Sequence, residues 1–341
     1  MKKNISHVLI VTPTRNSEAY LNETILSIFT QEGNYDIFYH VQDCESTDAT
    51  PEIIKYWEQM ALAKPAFLGR AKIHFSWSSE RDASMYDGIN KGFEKLFEKV
   101  RGVAPESILM AWINSDDKFA TGAIQTVSSF LNDSEQSEWV TGLPCLTLSD
   151  GTIADVRDSP CAFARIYLRQ GRYDGRTLPF LQQEGTFWRG SLWQKIGGLN
   201  KQLRLAGDWD LWRRFAEYNE LVTMRAVLGF HRRLQGQLSE DRDGYYSEID
   251  NIIDEQKSTF QALDISLLST DSIYSTAPLA GWRTEIGWHT YRITVPASMR
   301  PTPIRRLFFK ILAASKFLYS RTYFYLGTGK AWLLNKLKIA A

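Results

Sequence analysis

Ile108-Leu109-Met110-Ala111-Trp112-Ile113-Asn114-Ser115-Asp116-Asp117 runs six apolar residues straight into four polar ones. A short continuous apolar run bounded by such a break reads as a strand buried on both faces, with the polar residues at its carboxyl end. The same figure recurs upstream. Val8-Leu9-Ile10-Val11 stops at Pro13-Thr14-Arg15-Asn16, Ile37-Phe38-Tyr39-His40-Val41 ends at Asp43, and Ile73-His74-Phe75 ends at Ser78-Ser79-Glu80. Helical spacing fills the intervals: residues 21–29, with Leu21, Ile25 and Ile28/Phe29 on one face, then 51–60 with a proline in its first turn, then 89–100. Strands alternating with helices predict an α/β fold with a doubly wound, largely parallel sheet. Ligands of such sheets sit outside the carboxyl ends of the strands, which is where the polar clusters fall.

Beyond Thr141 the pattern is less regular and richer in aromatics and arginine. Residues 192–196 read as a short helix closed by Gly197-Gly198, 210–218 as another helix, 221–230 as a strand, and 244–263 as a long helix. A Ser/Thr-rich connection over 266–276 follows, so the expected division is a main domain of residues 1–265 and an extension of residues 266–341. No fixed-period repeat is present.

At 44% hydrophobic and 23% charged residues, the 341-residue chain is excluded from the disordered and low-complexity classes. Cys44, Cys145 and Cys161 are an odd count without metal spacing, which argues against a disulfide framework and a zinc site. The net charge of +1 conceals an asymmetry. The last acidic residue is Glu285; the 56 residues after it hold ten Lys/Arg and no acid, leaving 30 basic and 39 acidic residues in 1–285. If residues from Ile304 onward are helical, Leu307, Phe308, Ile311, Leu312 and Leu318 share one side, while Arg305, Arg306, Lys310 and Lys316 lie mostly elsewhere. That composition fits either a helix in an anionic membrane interface or a helical subdomain on the acidic body or another subunit. No nucleic-acid module accompanies the charge, so nucleic acid is not an expected partner. No signal peptide or spanning segment is evident, and the expected location is cytoplasmic, peripheral at the inner face of the membrane.

Each polar cluster has two readings. Asn114-Ser115-Asp116-Asp117 either holds a hard divalent cation together with substrate phosphates or caps a helix over 119–131. In Asp43-Cys44-Glu45-Ser46-Thr47-Asp48-Ala49-Thr50, Asp43 is a ligand acceptor and the remainder shapes the turn and caps the helix at Pro51. Glu80-Arg81-Asp82 precedes Tyr86-Asp87-Gly88-Ile89-Asn90-Lys91-Gly92, and Asp208 in Gly207-Asp208-Trp209-Asp210-Leu211-Trp212-Arg213 is either chemical or a helix cap. Gly327-Thr328-Gly329-Lys330 lacks the flanking residues of a P-loop, and no Gly-x-Ser-x-Gly, His-Glu-x-x-His or Cys-x-x-Cys occurs.

Taken in order over residues 6–240, these clusters resemble the family 2 glycosyltransferases of the GT-A fold. Residues Val11 to Asn16 are similar to that family's first strand and nucleotide loop, and Asp43 to Thr50 to its Asp-x-x-Ser-Thr-Asp-x-Thr segment. Ser79 to Asp82 with Tyr86 to Gly92, and Trp112 to Asp117, match a subgroup carrying Trp-x-Asn-Ser-Asp-Asp. Gln182 to Arg189 and Ile196 to Leu199 resemble its acceptor-side segment, and Gly207 to Arg213 falls at its catalytic acidic motif. Two positions depart from the pattern: the metal motif reads Asn114-x-Asp116 instead of Asp-x-Asp, and the catalytic Glu-Asp pair reads Gly207-Asp208.

The resemblance implies a GT-A fold and inverting transfer of a sugar from a nucleotide-sugar donor, UDP-linked, to an acceptor hydroxyl. It implies Asp208 as general base, and donor contacts from Thr12, Pro13, Asp43, Asp82, Asn114, Ser115 and Asp116. Gln183, Trp188 and Trp209 would be acceptor-side, with Trp188 equally readable as a core aromatic. Mn²⁺ or Mg²⁺ would be held by Asp116, and His231 is either a further ligand or structural. A saccharide or lipid-linked saccharide acceptor, as in bacterial surface polysaccharide assembly, would suit the basic extension. The competing expectation is a non-catalytic nucleotide-sugar-binding or membrane-associated scaffold, which the residues at 114 and 207 keep open. A nucleotidyltransferase would carry a glycine-rich loop after its first strand, and Pro13-Thr14-Arg15-Asn16 contains no glycine.

Overall fold

A computed structural model of the chain describes residues 4–63, 69, 71–156, 163–256, 276–284 and 287–294. Elements follow one another as β1 (His7–Thr14), α1 (Leu21–Phe29), β2 (Asp36–Asp43), α2 (Thr50–Ala63), β3 (Lys72–Ser79), α3 (Met85–Lys99), β4 (Ile108–Trp112), β5 (Lys118–Phe119) and α4 (Ala123–Asp133). The chain continues through β6 (Trp139–Thr141), β7 (Cys145–Thr147), β8 (Ile153–Val156), α5 (Arg165–Arg169), β9 (Thr186–Arg189), α6 (Gly190–Ile196) and α7 (Gly207–Ala216). It ends, among the described residues, with β10 (Leu221–Met224), β11 (Gly229–Arg232), α8 (Arg242–Glu255), β12 (Thr276–Thr284) and β13 (Gly287–Thr294).

Nine strands form the main sheet in the order β13-β12-β10-β6-β9-β4-β1-β2-β3. The pairs β1–β2, β2–β3, β1–β4, β6–β10 and β10–β12 are parallel, while β9 runs antiparallel to both β4 and β6, and β13 to β12. The result is a mixed, mostly parallel α/β sheet, as the alternation predicts. Alternate residues of β1 and β4 enter separate cores on the two faces: Leu9, Val11, Met110 and Trp112 on one side, Val8, Ile10, Leu109 and Ala111 on the other. Burial on both faces is why these strands read as unbroken apolar runs.

The first core is dominated by tryptophan. Trp112 stacks on Trp212 at 5.7 Å and 6°, Trp139 on Trp212 at 5.9 Å, and Trp188 on Trp193 at 5.9 Å. Trp188 is fully buried at 0% exposure. Of its two readings Trp188 takes the place of a core aromatic: β9 lies between β4 and β6 in mid-sheet, and the Trp188 ring belongs to the first core.

A second sheet, β5-β11-β7-β8, stands apart from the first. Its presence breaks the strand expected over 221–230 into β10 and β11, one in each sheet. Gly229 makes the passage possible, because a Cβ there would lie 2.0 Å from the Glu184 carbonyl oxygen. The helix expected over 119–131 begins at Ala123 behind Gly122, whose φ of 75° is left-handed. The helix expected over 244–263 occupies Arg242–Glu255, and its expected continuation lies outside the described residues. So do the division at residue 265, the helix expected from Ile304, the Gly327-Thr328-Gly329-Lys330 segment and Cys161. The described part of the extension is the hairpin β12–β13, which joins the main sheet through β10. Among the described residues no helix is long and apolar enough to cross a membrane.

The tryptophan core yields a stability prediction. Trp188→Ala removes the ring that touches Trp112, Trp193, Trp212 and Phe215, and urea unfolding should show a loss of about 3–5 kcal/mol.

Candidate functional site

The carboxyl ends of β1, β2 and β4 meet at one end of the sheet, and their loops are knitted together. Asn16, in the left-handed region at φ 50°, donates its N–H to Ser46 and accepts from the Thr47 N–H at 2.9 Å. The Ser17 N–H donates to Thr50 at 2.7 Å, and the Ser17 and Ser115 hydroxyls share a 2.7 Å hydrogen bond. Thr24 on α1 donates its hydroxyl to the carbonyls of Ser115 and Asp117. Thr12 is buried and accepts from the Tyr39 hydroxyl at 3.0 Å, and Pro13 is buried beside it.

Asp43, expected to contact a nucleoside, lies at the end of β2. It is fully buried, and its carboxylate accepts from the Ser46 N–H, the Ser46 hydroxyl and the Ser79 hydroxyl. It organises the turn, and Asp48 caps the following helix through the Thr50 N–H at 3.0 Å. Asp82 is half-buried, with its pKa raised by burial, and faces Gly88, where a Cβ would lie 2.7 Å from its Oδ2. The Thr14 Oγ1 at the end of β1 is buried without a hydrogen-bond partner among the described residues, a free polar group that the sequence does not mark.

The loop after β4 is not a helix cap, since α4 starts at Ala123 behind Gly122 with no side-chain cap. Its acids turn elsewhere. Asp116 Oδ2 accepts from Gln237 at 2.8 Å, whereas Asp117 is buried and faces β11. Antiparallel pairing sets that second contact: Phe230 pairs with Lys118 and Gly229 with Phe119, so the next residues outward, His231 and Asp117, come face to face. Because β9 is antiparallel, the residues that precede it return to this same end of the sheet. Gln183 there donates to the Trp112 carbonyl at 2.6 Å, and Glu184 completes a cluster with Asp117 and His231.

The ligand-type atoms of Asp117, Glu184 and His231 all lie within 4.8 Å of one another. His231 Nδ1 is 3.5 Å from Asp117 Oδ1 and 3.5 Å from Glu184 Oε1. Burial works against protonation of His231, but the two carboxylates outweigh it and raise its pKa. Burial and then the charge of Glu184 raise Asp117, while His231 brings Glu184 down against its own burial. Two carboxylates and an imidazole form a mixed oxygen and nitrogen donor set that suits Mn²⁺ better than the oxygen-preferring Mg²⁺. Asn114 Oδ1 is buried with no hydrogen-bond partner among the described residues, which also fits a cation-binding site. The cluster contains His231 as expected, but Asp117 and Glu184 stand in it where Asp116 was expected. Glu184 has no local sequence signal of its own; only the reversed course of β9 brings it here.

Asp208 is not a cap either. It is the second residue of α7, partly open to solvent, with Oδ1 accepting its neighbour's N–H from Trp209 at 2.7 Å. Trp209 is buried, and its indole N–H donates to the Gly171 carbonyl at 3.0 Å; Gln183 gives its amide N–H to the Trp112 carbonyl, while its Oε1 is buried with no hydrogen-bond partner among the described residues. The absence of an acid at 207 has a packing reason. A Cβ on Gly207 would lie 2.5 Å from the Tyr86 ring, which covers it from α3.

Residues 9–140 match the family model "Glycosyl transferase family 2". No curated protein matches the chain. Among solved structures, S. aureus TarS 1-349 in complex with UDP-GlcNAc is similar at 14% identity and a TM-score of 0.48, covering 70% of this chain and 61% of that one. Mannosyltransferase PcManGT from Pyrobaculum calidifontis, in complex with GDP-Man and Mn2+, is similar at 12% identity and a TM-score of 0.45, covering 68% of this chain and 58% of that one. The chain thus spans about three fifths of the structures it resembles. Its first strands and helices, over residues 9–140, are a glycosyl transferase family 2 domain.

Proposed function

We propose that the protein is an inverting glycosyltransferase that moves a sugar from a nucleotide-sugar donor to an acceptor hydroxyl. One observation carries this reading: the Asp117–Glu184–His231 cluster, its two carboxylates buried, and Asp208 meet at the carboxyl end of β4 in a sheet that begins with a family 2 domain. Mn²⁺ or Mg²⁺ held by the cluster would supply Lewis acidity for the diphosphate leaving group. Asp208 takes the proton from the acceptor hydroxyl as its oxygen attacks the anomeric carbon on the face opposite the leaving group. Burial raises the Asp208 carboxyl to about 7, with the Trp209 N–H opposing and the charges of Glu184 and Glu248 adding to the rise. A base titrating near neutrality combines ionisation with useful basicity. Carboxylates at this end also favour an oxocarbenium-like transition state. The composition of residues 286–341 supports an acceptor at an anionic membrane, a lipid-linked saccharide in surface polysaccharide assembly.

A non-catalytic nucleotide-sugar-binding scaffold is the second reading, and the residues at 114 and 207 favour it. The Tyr86 packing weakens that case, since it explains Gly207 without loss of Asp208.

A screen of UDP- and GDP-linked sugars for Mn²⁺- or Mg²⁺-dependent hydrolysis and transfer tests the enzyme. Asp208→Asn should lower kcat by ~10²–10⁴-fold, and EDTA or His231→Ala should abolish or sharply weaken metal-dependent turnover. Nucleotide-induced thermal stabilisation without turnover on any donor would favour the scaffold, and unchanged kcat in Asp208→Asn would remove the base. Stability gives an independent check. With its carboxyl near 7 in the fold against an ordinary 3.8, Asp208 favours the folded state below the lower value and loses that contribution as pH rises through the higher one. Asp208→Asn should therefore raise Tm relative to wild type at about pH 8 and show no such gain at about pH 4. Gly207→Glu, which installs the family's usual acid, should lose about 1–3 kcal/mol of stability by overpacking against Tyr86, with reduced kcat.

A further inference from the structure

Helix α7 carries Asp208 in its first turn but has no cap of its own. Its N-cap position is Ala206, and no side chain of that residue caps the helix. The N–H groups just ahead of the helix are met instead from α8. Glu248 Oε1 accepts from the Arg204 N–H at 2.9 Å, and Oε2 accepts from the N–H groups of Leu205 at 3.0 Å and Ala206 at 2.8 Å. Three hydrogen bonds to one carboxylate are charge-assisted and hold three successive peptide units in one orientation. The negative charge also faces the positive end of the α7 dipole.

Two further contacts lock the same turn. The Tyr86 hydroxyl donates to the Leu205 carbonyl at 2.9 Å, and the Tyr86 ring lies over Gly207. The first turn of α8 presses on the segment as well, since a Cβ on Gly244 would lie 2.8 Å from a Leu205 methyl. Helix α8 is itself fixed, through Asp241 accepting from the Gly244 N–H at 3.0 Å and through the buried Ile249 and Ile252. The base-bearing turn is thus suspended between α3 and α8.

We propose that Glu248 is a positioning residue for Asp208: from another helix it supplies the acidic cap that α7 lacks, fixing the backbone turn that aims the Asp208 carboxylate. The inference rests on the reading of Asp208 as the base. It also gives the missing acid at 207 a counterpart in space. Tyr86 occupies the room a side chain at 207 would need, and the carboxylate that orders this turn arrives through the N–H groups of residues 204–206.

The test compares full-length wild type with Glu248→Ala, Glu248→Gln and Asp208→Asn, using UDP-sugar hydrolysis with Mn²⁺ and amide hydrogen exchange at residues 204–206. Glu248→Ala should accelerate exchange at those amides and lower kcat on the order of 10²-fold, the scale of a small misplacement of a catalytic group, with donor KM within about twofold. Glu248→Gln, whose amide oxygen still accepts from the turn, should recover much of the lost kcat. Its acid limb should move to lower pH, because one of the negative charges around Asp208 is gone. Among the described residues, the titratable groups interacting with Asp208 include Glu184 ahead of β9, Tyr86 on α3, and Tyr245 and Glu248 on α8. Wild-type kcat in Glu248→Ala, a loss confined to KM, or unchanged exchange at 204–206 would overturn the proposal. If Glu248→Ala does not fold, Glu248→Gln carries the test: it replaces one accepting oxygen by an NH2 donor, so wild-type exchange at all three amides of 204–206 would overturn the proposal. Full activity in Asp208→Asn would refute the base assignment alone, and the exchange measurement would still decide whether Glu248 holds the turn.

Discussion

The arrangement of the site follows from one constraint, the burial of the Asp117 carboxylate at the end of β4. Only 1% of Asp117 is exposed, and a buried charge without partners costs several kcal/mol. Every nearby element is set to answer it. The Arg232 N–H donates to Oδ1 at 2.7 Å, the Asn114 amide to Oδ2 at 3.2 Å, and His231 stands 3.5 Å away. Arg232, itself buried, secures the loop further by donating to the Asp116 carbonyl and to Glu23 on α1, with its guanidinium 4.4 Å from the Tyr20 ring. The second sheet thereby serves the first: β11 exists where it does because its residues 231 and 232 satisfy the loop of β4.

The same constraint explains the adjacent pair of acids. Asp116 and Asp117 are neighbours of identical chemistry, and only the pairing of β5 with β11 decides which of them turns inward. Asp117, inside, shares its environment with Glu184 and His231 and departs from ordinary titration; Asp116, nearer the surface, takes a hydrogen bond from Gln237. A motif read as a string cannot separate the two, because the choice is made by a strand more than a hundred residues away.

What was legible in the sequence follows the same division between local and distant causes. Parallel strands buried on both faces leave unbroken apolar runs, so β1, β2 and β4 could be placed with the polar clusters at their ends, while β3, the half-buried edge strand, shows only the shorter run Ile73 to Phe75. Helix α1 coincides with its spacing, and α6 stops at Gly197, whose φ of 75° needs glycine. The failures concern residues whose fate is decided by topology. Trp188 sits in a polar-looking segment yet lies in mid-sheet, because β9 is reversed between β4 and β6. That reversal also delivers Glu184. The run from 221 to 230 is mostly apolar, interrupted by Thr223 and Arg225, and its break into two sheets depends on the close approach of Gly229 to Glu184.

The departures at 114 and 207 are best understood as exchanges of position instead of losses. Asn114 places an amide where the family pattern has a carboxylate, and that amide donates to the buried acid three residues on. A carboxylate at 114 would set a second negative charge against Asp117, already raised by burial and Glu184, with His231 as the opposing cation. At 207 the room belongs to Tyr86, and the acid that orders the turn comes from α8. At 114 the negative charge is held by a neighbour three residues on, and at 207 by a residue remote in sequence and near in space. The acidic body that balances the basic C-terminal residues is therefore more than a solvated surface: several of its carboxylates, Asp43, Asp117, Glu184 and Glu248 among them, are bound into the backbone and side chains of the site itself.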